Sequence, residues 1–246
     1  MFAGIDLAAD WKKTGLAILE EIEGQIFVQQ VKVGVKDNEI IETVMQTDKT
    51  GIDVPFGWPL PFIELIHSQS NGTLQAPQNT DLAWRKTLTL RATDLFIQQQ
   101  TGLNPLSVSA SLIAHPAFRW AGIEAKLREL QLNVARDGLG KICEVYPAAA
   151  LWALTLPHQG YKGSHIAKRI QLLEAIRQKL PFLRFNGWEA LCKNNDNALD
   201  AVIAGLTAWL VHKGYAQAPT GLQQEIALRE GWIWLPDGLK INTDLI

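Results

Sequence analysis

The order of the apolar segments near the start of the chain constrains the fold more than any other feature. Residues 2–8 and 14–20 are short apolar segments, and residues 26–35 largely alternate apolar and polar side chains, as a half-buried strand does. Residues 38–46 then show helical spacing, and another apolar strand begins at Gly51. Three strands followed by a helix and a strand predict a meander joined by a crossover to a parallel strand. We therefore expect a mixed sheet in an α/β fold.

The rest of the chain predicts a helical region followed by a return to the sheet. Residues 59–140 are expected to form a mostly helical insertion or cap between the fourth and fifth core strands. The fifth strand is predicted at residues 141–147, KICEVYP. Because 246 residues suit one large domain with an insertion, we expect a single domain over residues 1–246. The other expected elements are helices at 60–68, 91–100, 111–131, 164–180 and 198–212, a polar loop at 68–80, and a final strand and turn at 229–238.

The composition is that of an ordinary globular protein, and it restricts the partners of the chain. A formal net charge of −2 excludes a highly basic nucleic-acid binder, although it leaves room for a local basic patch. The two cysteines do not suggest a disulfide framework. The N-terminus lacks a basic segment followed by an apolar one, and the longest mostly apolar stretch, residues 201–211, is too short to span a bilayer. We therefore expect a cytoplasmic protein without a membrane partner.

Three of the predicted strands each carry one acidic residue among apolar neighbours, namely Asp6, Asp53 and Glu144. An ionised carboxylate is costly to bury unless it is paired or coordinates a metal ion. Two further acids, Asp196 and Asp200, stand four residues apart at the start of a predicted helix and so share one of its faces. Together the five acids predict convergence on one cation.

Each acid also has a simpler interpretation when it is taken alone. Asp6 could be a turn or cap residue at the end of its strand, and Asp196 could be the N-cap of its helix. Glu144 could pair with an arginine. Asp200 is the stronger ligand candidate of the helical pair, because capping cannot explain an acid inside a helix.

Oxygen ligands of this kind favour Mg²⁺ or Mn²⁺. The cysteines and histidines do not have the spacing of a zinc site. Two divalent ions about 3.5–4 Å apart would activate a water and stabilise the leaving oxygen of a phosphodiester. The acids therefore predict phosphodiester chemistry.

Several motifs resemble, in the expected order, the domain of unknown function 429 family, a group of predicted RNase H-like nucleases. The motifs are AGIDLA at residues 3–8, GIDVPFGWP at 51–59, LRATD at 90–94, EVYPAAAL at 144–151 and DNALDAVIAGLTA at 196–208. The resemblance runs from Gly4 to about Pro236. It implies an RNase H-like core, a mixed five-stranded sheet flanked by helices, in which the first three strands are antiparallel.

The same resemblance implies which residues carry the chemistry. Acids on the first strand, the fourth strand and the last core helix bind divalent metal in that superfamily. These positions correspond to Asp6, Asp53 and Asp200, with Asp196 nearby as a further ligand. Glu144 belongs to the EVYP motif and joins Asp6, Asp53 and Asp200 as an expected catalytic carboxylate.

Two basic segments are candidates for substrate binding. Arg91 in LRATD could contact a phosphate, with Asp94 orienting it, but the same residues could simply begin a helix. Lys162 belongs to the segment YKGSHIAKR, in which Arg169 shares a predicted helical face with other basic side chains. This second segment predicts either phosphate-backbone contacts or a solvated helix face.

The function expected from these observations is a metal-dependent nuclease acting on nucleic acid or another phosphodiester. A nucleotide-dependent phosphotransferase of the actin and sugar-kinase type would share the core. That class needs a glycine-rich loop soon after the first acid, and here the first glycine after Asp6 is Gly15. A non-catalytic nucleic-acid-binding module on the same fold is the other alternative.

Overall fold

The computed structural model describes residues 1–110 and 112–245. Within this part of the chain the largest sheet has six strands in the order β5-β4-β1-β2-β3-β6. The strands are β1 (Phe2–Asp6), β2 (Gly15–Ile22), β3 (Gln25–Val33), β4 (Lys49–Asp53), β5 (Ile142–Glu144) and β6 (Leu183–Arg184). Strands β1, β2 and β3 pair antiparallel, while β4 runs parallel to both β1 and β5. The prediction of a mixed sheet in an α/β fold is confirmed.

The prediction of five strands is wrong by one. The sixth strand, β6, pairs in parallel with β3 through Leu183 and Arg184 only. Two residues are too few to leave an alternating pattern in the sequence. The edge strand therefore depends on tertiary context.

Helices account for most of the remaining chain. Helix α1 (Asp37–Gln46) connects β3 to β4, and four helices lie between β4 and β5 in the described residues. Of these four, the one from Leu82 to Thr89 was not predicted. The predicted helix at 111–131 is observed as Ala114–Glu129, and Ser111 lies outside the described residues. The four are α2 (Leu60–Ser70), α3 (Leu82–Thr89), α4 (Ala92–Thr101) and α5 (Ala114–Glu129).

The part of the chain after β5 adds further helices and a small ribbon. Strand β7 (Ala216–Gln217) pairs antiparallel with β8 (Leu235–Pro236). The predicted final strand is only partly present, because residues 222–230 are helical and Ile233 forms a single parallel bridge to Glu144. The helices are α6 (Pro147–Ala153), α7 (Ile166–Lys179), α8 (Glu189–Asn194), α9 (Asp196–His212), α10 (Leu222–Glu230) and α11 (Gly238–Asp244).

Helices cover both faces of the large sheet. On one face, α9 and α7 pack on Phe2 and Leu19 of the strands. On the other face, α1 and α5 pack on Ile5 and Ile52. Successive side chains of a strand point to opposite faces, so Gly4 and Asp6 lie on the same face as Phe2, which is the α9 face.

The described part of the chain contains no helix that combines the length and the apolar character needed to cross a membrane.

Candidate metal centre

The carboxylates of Asp6, Asp53 and Asp200 converge at one end of the sheet. Asp6 ends β1, Asp53 ends β4, and the two residues are direct partners in the parallel pairing of these strands. Asp200 lies in the second turn of α9, which packs across β1 and β4. One oxygen from each carboxylate lies within 4.8 Å of the other two. We call these three residues the carboxylate cluster.

Glycines allow α9 to come close enough to complete the cluster. A Cβ atom on Gly4 would lie 1.9 Å from the Ala201 carbonyl oxygen, and one on Gly51 would lie 2.3 Å from the Ala204 carbonyl oxygen. The backbones of β1 and β4 therefore contact the backbone of α9 directly. The repeated sequence Gly-Ile-Asp has a physical reason. The glycine leaves room for the backbone of α9, and the aspartate two residues later lies on the same face of the sheet, where it approaches Asp200 of that helix.

Burial and like charges oppose ionisation of the cluster. Burial raises the pKa of Asp6 well above its usual range, and the charges of Asp200 and Asp53 raise it further. Burial, with a smaller contribution from Asp200, raises the pKa of Asp53 from 3.8 to about 7. The pKa of Asp200 is also raised, mainly by burial. A bound cation would favour the ionised forms of all three groups.

Lys162 supplies a positive charge to the cluster. Its Nζ lies 2.8 Å from Asp200 Oδ2, while 53% of its side chain remains exposed. Burial lowers the pKa of Lys162, but the charges of Asp200 and Asp53 outweigh this effect and hold the pKa above its usual value. Lys162 is therefore a charged and half-exposed group beside the cluster.

The loop at residues 161–163 is attached to the first turns of α9. The Tyr161 hydroxyl donates to Asp200 Oδ1 at 2.7 Å, and the Gly163 N–H donates to Asp196 Oδ2 at 2.9 Å. Asp196 thus holds this loop, and its oxygens are not among those that converge in the cluster. Its alternative role as N-cap is filled by Asn195, whose Oδ1 accepts the Ala198 N–H.

Arg169 also holds this loop, through hydrogen bonds to its backbone carbonyls. This side chain of α7 is buried, and its guanidinium donates to the carbonyls of Tyr161, Gly163 and Lys193 at 2.6 to 2.8 Å. The expectation that Arg169 shares an exposed basic face is therefore incorrect. The roles of Tyr161 and Arg169 in holding the loop were not predicted, because no local pattern in a sequence marks a bond to a distant group.

The structure places Glu144 and Arg91 in a buried ion pair instead of the cluster. Arg91 Nη1 and Nη2 donate to the two oxygens of Glu144 at 2.8 and 2.7 Å, and the Phe56 N–H also donates to Glu144. Asp94 accepts from the Arg91 backbone N–H and guanidinium. The carboxylate of Glu144 and the guanidinium of Arg91 are thus fully used by each other and their neighbours. Glu144, expected as a catalytic carboxylate, thus lies outside the three converging acids, and the guanidinium of Arg91, expected to contact a phosphate, is bonded within the protein.

The fold and the cluster define an α/β protein with three convergent carboxylates, two at the ends of parallel strands and one on a helix. Residues 4–224 match the family described as protein of unknown function DUF429, and the chain belongs to this family. No curated protein and no solved structure matches the chain.

Proposed function

We propose that this protein is an Mg²⁺- or Mn²⁺-dependent phosphodiester hydrolase, a nuclease, built on an RNase H-like core. The observation that carries the proposal is the convergence of Asp6, Asp53 and Asp200 from two strands and a helix. In the order β5-β4-β1-β2-β3, strand β2 runs in the opposite direction to the other four strands. This arrangement supports the RNase H-like assignment of the core.

The residues of the cluster fit a hard divalent cation. Three carboxylates supply oxygen donors, which Mg²⁺ and Mn²⁺ prefer. Burial, with a smaller contribution from the like charges of neighbouring acids, raises their pKa values when no cation is present. A divalent cation held there would supply Lewis-acid activation of water and charge stabilisation for the leaving oxygen of a phosphodiester.

The neighbouring residues of the chain have separate tasks in this proposal. Tyr161 fixes the orientation of Asp200 by donating to Oδ1, while Oδ2 contacts Lys162. The half-exposed side chain of Lys162 would let its ammonium contact a phosphate oxygen in place of Asp200 when the carboxylates hold a cation. Asp196 and Arg169 keep the 161–163 loop in place for both contacts.

The proposal is tested by calorimetric titration of Mn²⁺ into the wild type and Asp53→Asn, with cleavage of single-stranded and duplex DNA and RNA measured on the same samples. Asp48→Asn is the matched control, because Asp48 immediately precedes β4 and its side chain is 60% exposed. Loss of a residue next to a metal ligand typically costs 10–100-fold, so we expect loss of a ligand in Asp53→Asn to reduce cleavage by about 100-fold or more.

The control should bind Mn²⁺ and cleave as the wild type does. Mn²⁺ binding that is equal in the wild type and Asp53→Asn would contradict the metal centre. Binding that depends on Asp53, without cleavage of any phosphodiester tested, would contradict the hydrolase and keep the metal centre.

A further inference from the structure

A cavity of about 360 Å³ adjoins the carboxylate cluster. Asp53 and Lys162 line the cavity on the cluster side. Its apolar lining includes Pro55, Leu106 and Ile113. Small-molecule pockets span roughly 300–1,000 Å³, so this cavity is at the small end of that range. It has room for one ring system and not for a nucleic-acid duplex.

Tyr146 gives the cavity wall a planar ring with a free polar group. It precedes α6 and is partly exposed at the cavity. Burial raises the pKa of its hydroxyl, and its ring lines the same cavity as Asp53 of the cluster. Among residues 1–110 and 112–245 this hydroxyl has no hydrogen-bond partner. An aromatic ring with a free hydroxyl suits a ligand that has both a π-face and polar edges, as a nucleobase does.

The charge around the cluster also restricts the ligand. Of the basic side chains predicted to contact substrate, Arg91 is buried and bonded within the protein. Arg169 of α7 is also buried, and its guanidinium is bonded to backbone carbonyls. Lys162 has a half-exposed side chain beside the cluster, with its ammonium paired to Asp200. Binding along a nucleic-acid backbone requires many such cations, because each phosphate contact contributes separately. A single lysine beside a ring-sized cavity suits one phosphate and one base.

We infer that this cavity is a nucleoside subsite, which receives one unpaired base of a phosphodiester whose phosphate lies at the carboxylate cluster. The inference rests on the proposed function and restricts its substrate class. The substrate class becomes short single-stranded nucleotides or small nucleotide diesters, and intact duplex is excluded because a paired base cannot enter.

The first test measures binding and does not depend on cleavage. Adenosine and thymidine are titrated by calorimetry into the metal-free wild type, Ala148→Phe and Tyr146→Phe. Ala148 lines the cavity from α6 and is partly exposed, so a phenyl group there fills the space with little effect on the core. Tyr215→Phe is the control for the tyrosine change, because Tyr215 contacts Lys240 and lies away from the cavity.

We expect at least one nucleoside to bind the wild type and Tyr215→Phe equally. Ala148→Phe should weaken this binding about tenfold or more, which is within the range of one lost base contact, and Tyr146→Phe should weaken it less. Absence of nucleoside binding to the wild type, or equal binding to a folded Ala148→Phe, overturns the inference. Melting temperatures confirm that each variant is folded.

A second test separates the subsite from the reaction. With Mn²⁺ present, cleavage of thymidine 5′-(p-nitrophenyl phosphate) is compared with cleavage of methyl p-nitrophenyl phosphate, which has no base. We expect Ala148→Phe to raise KM about tenfold for the first ester and to leave the second within about twofold. Equal effects on both esters overturn the subsite, whereas nucleoside binding without cleavage of either ester overturns only the hydrolase.

Discussion

At the residue scale, Asp53 shows that folding disfavours the ionised form of an acid in the cluster. Its carboxyl group is placed beside two other acids, and its pKa of about 7 compares with an ordinary value of 3.8. The folded protein therefore binds a proton at Asp53 more readily than the unfolded chain does. Between pH 4 and pH 7, this difference reduces the stability of the metal-free protein as the pH rises.

Replacing Asp53 by Asn should therefore stabilise the metal-free protein at pH 8. We expect the free energy of unfolding to increase by about 1–3 kcal/mol, because the variant removes a buried like charge. Urea denaturation in the presence of EDTA measures the change. At pH 4.5 the gain should largely disappear, because Asp53 is then protonated in the folded wild type.

Asp48→Asn provides the comparison for this prediction. Its hydrogen bond to the N-terminal ammonium lowers the pKa of Asp48, so its ionised form favours folding at pH 8. The control should therefore show no gain at pH 8. A metal-free Asp53→Asn that is less stable than the wild type at pH 8 would contradict the electrostatic interpretation.

At the element scale, the packing of α9 on β1 and β4 depends on glycine. Gly4→Ala places a methyl group against the Ala201 carbonyl and the Gly205 N–H, both of which are backbone groups that cannot rotate away. We expect a loss of about 2–4 kcal/mol in the free energy of unfolding, measured by urea denaturation. Mn²⁺ affinity should fall as well, because a displaced α9 moves Asp200 away from Asp6.

Gly122→Ala is the matched control for this change. Gly122 lies inside α5 with no atom within 4 Å of an added Cβ, so alanine there should stabilise the protein by about 0.5–1 kcal/mol. The two alanine substitutions should therefore have opposite signs. Equal effects would show that β1 and α9 do not depend on close backbone contact.

The loop at residues 161–163 depends on Arg169 in a comparable way. Arg169→Met removes three hydrogen bonds to backbone carbonyls, and the buried carbonyl of Tyr161 would lose its donor. We expect trypsin to cleave faster after Lys162, together with weaker Mn²⁺ binding. Arg177→Met, at an exposed position of the same helix, should change neither. Unchanged cleavage in Arg169→Met would mean that Asp196 and Tyr161 suffice to hold the loop.

Helices and strands with a clear apolar periodicity were predictable from the sequence. Those whose position depends on residues far away in the chain were not. Residues 196–212 carry the apolar stripe of a long helix, and the repeated Gly-Ile-Asp by itself indicated two similar strand ends. Strand β6 has two residues, and no periodicity could show it. The sequence indicated that Glu144 needs a partner, but it could not indicate that Arg91, far away in the chain, is that partner.

At the scale of the whole molecule, cation binding is coupled to folding. A cation that binds the cluster only in the folded state stabilises the protein by about 2.7 kcal/mol when its concentration is 100 times Kd. For a chain of this size, this corresponds to a rise of roughly 5–11 °C in Tm. Scanning calorimetry with Mn²⁺ and with EDTA measures the difference.

The rise in Tm should be larger at pH 8 than at pH 5.5. The Asp53 carboxyl must lose its proton to bind a cation, and its pKa is about 7 in the metal-free protein. In Asp53→Asn the Mn²⁺-dependent rise should be small at both pH values. A rise that does not depend on pH would mean that Asp53 is not a ligand.

The cluster also sets an order of events during synthesis. Asp6 and Asp53 leave the ribosome well before Asp200, which lies on α9, the helix that covers one face of the sheet. A nascent chain that ends before α9 has two of the three acids and an uncovered apolar surface, so it exposes a target for chaperones. Any activity that needs all three carboxylates therefore starts only after α9 has been synthesised.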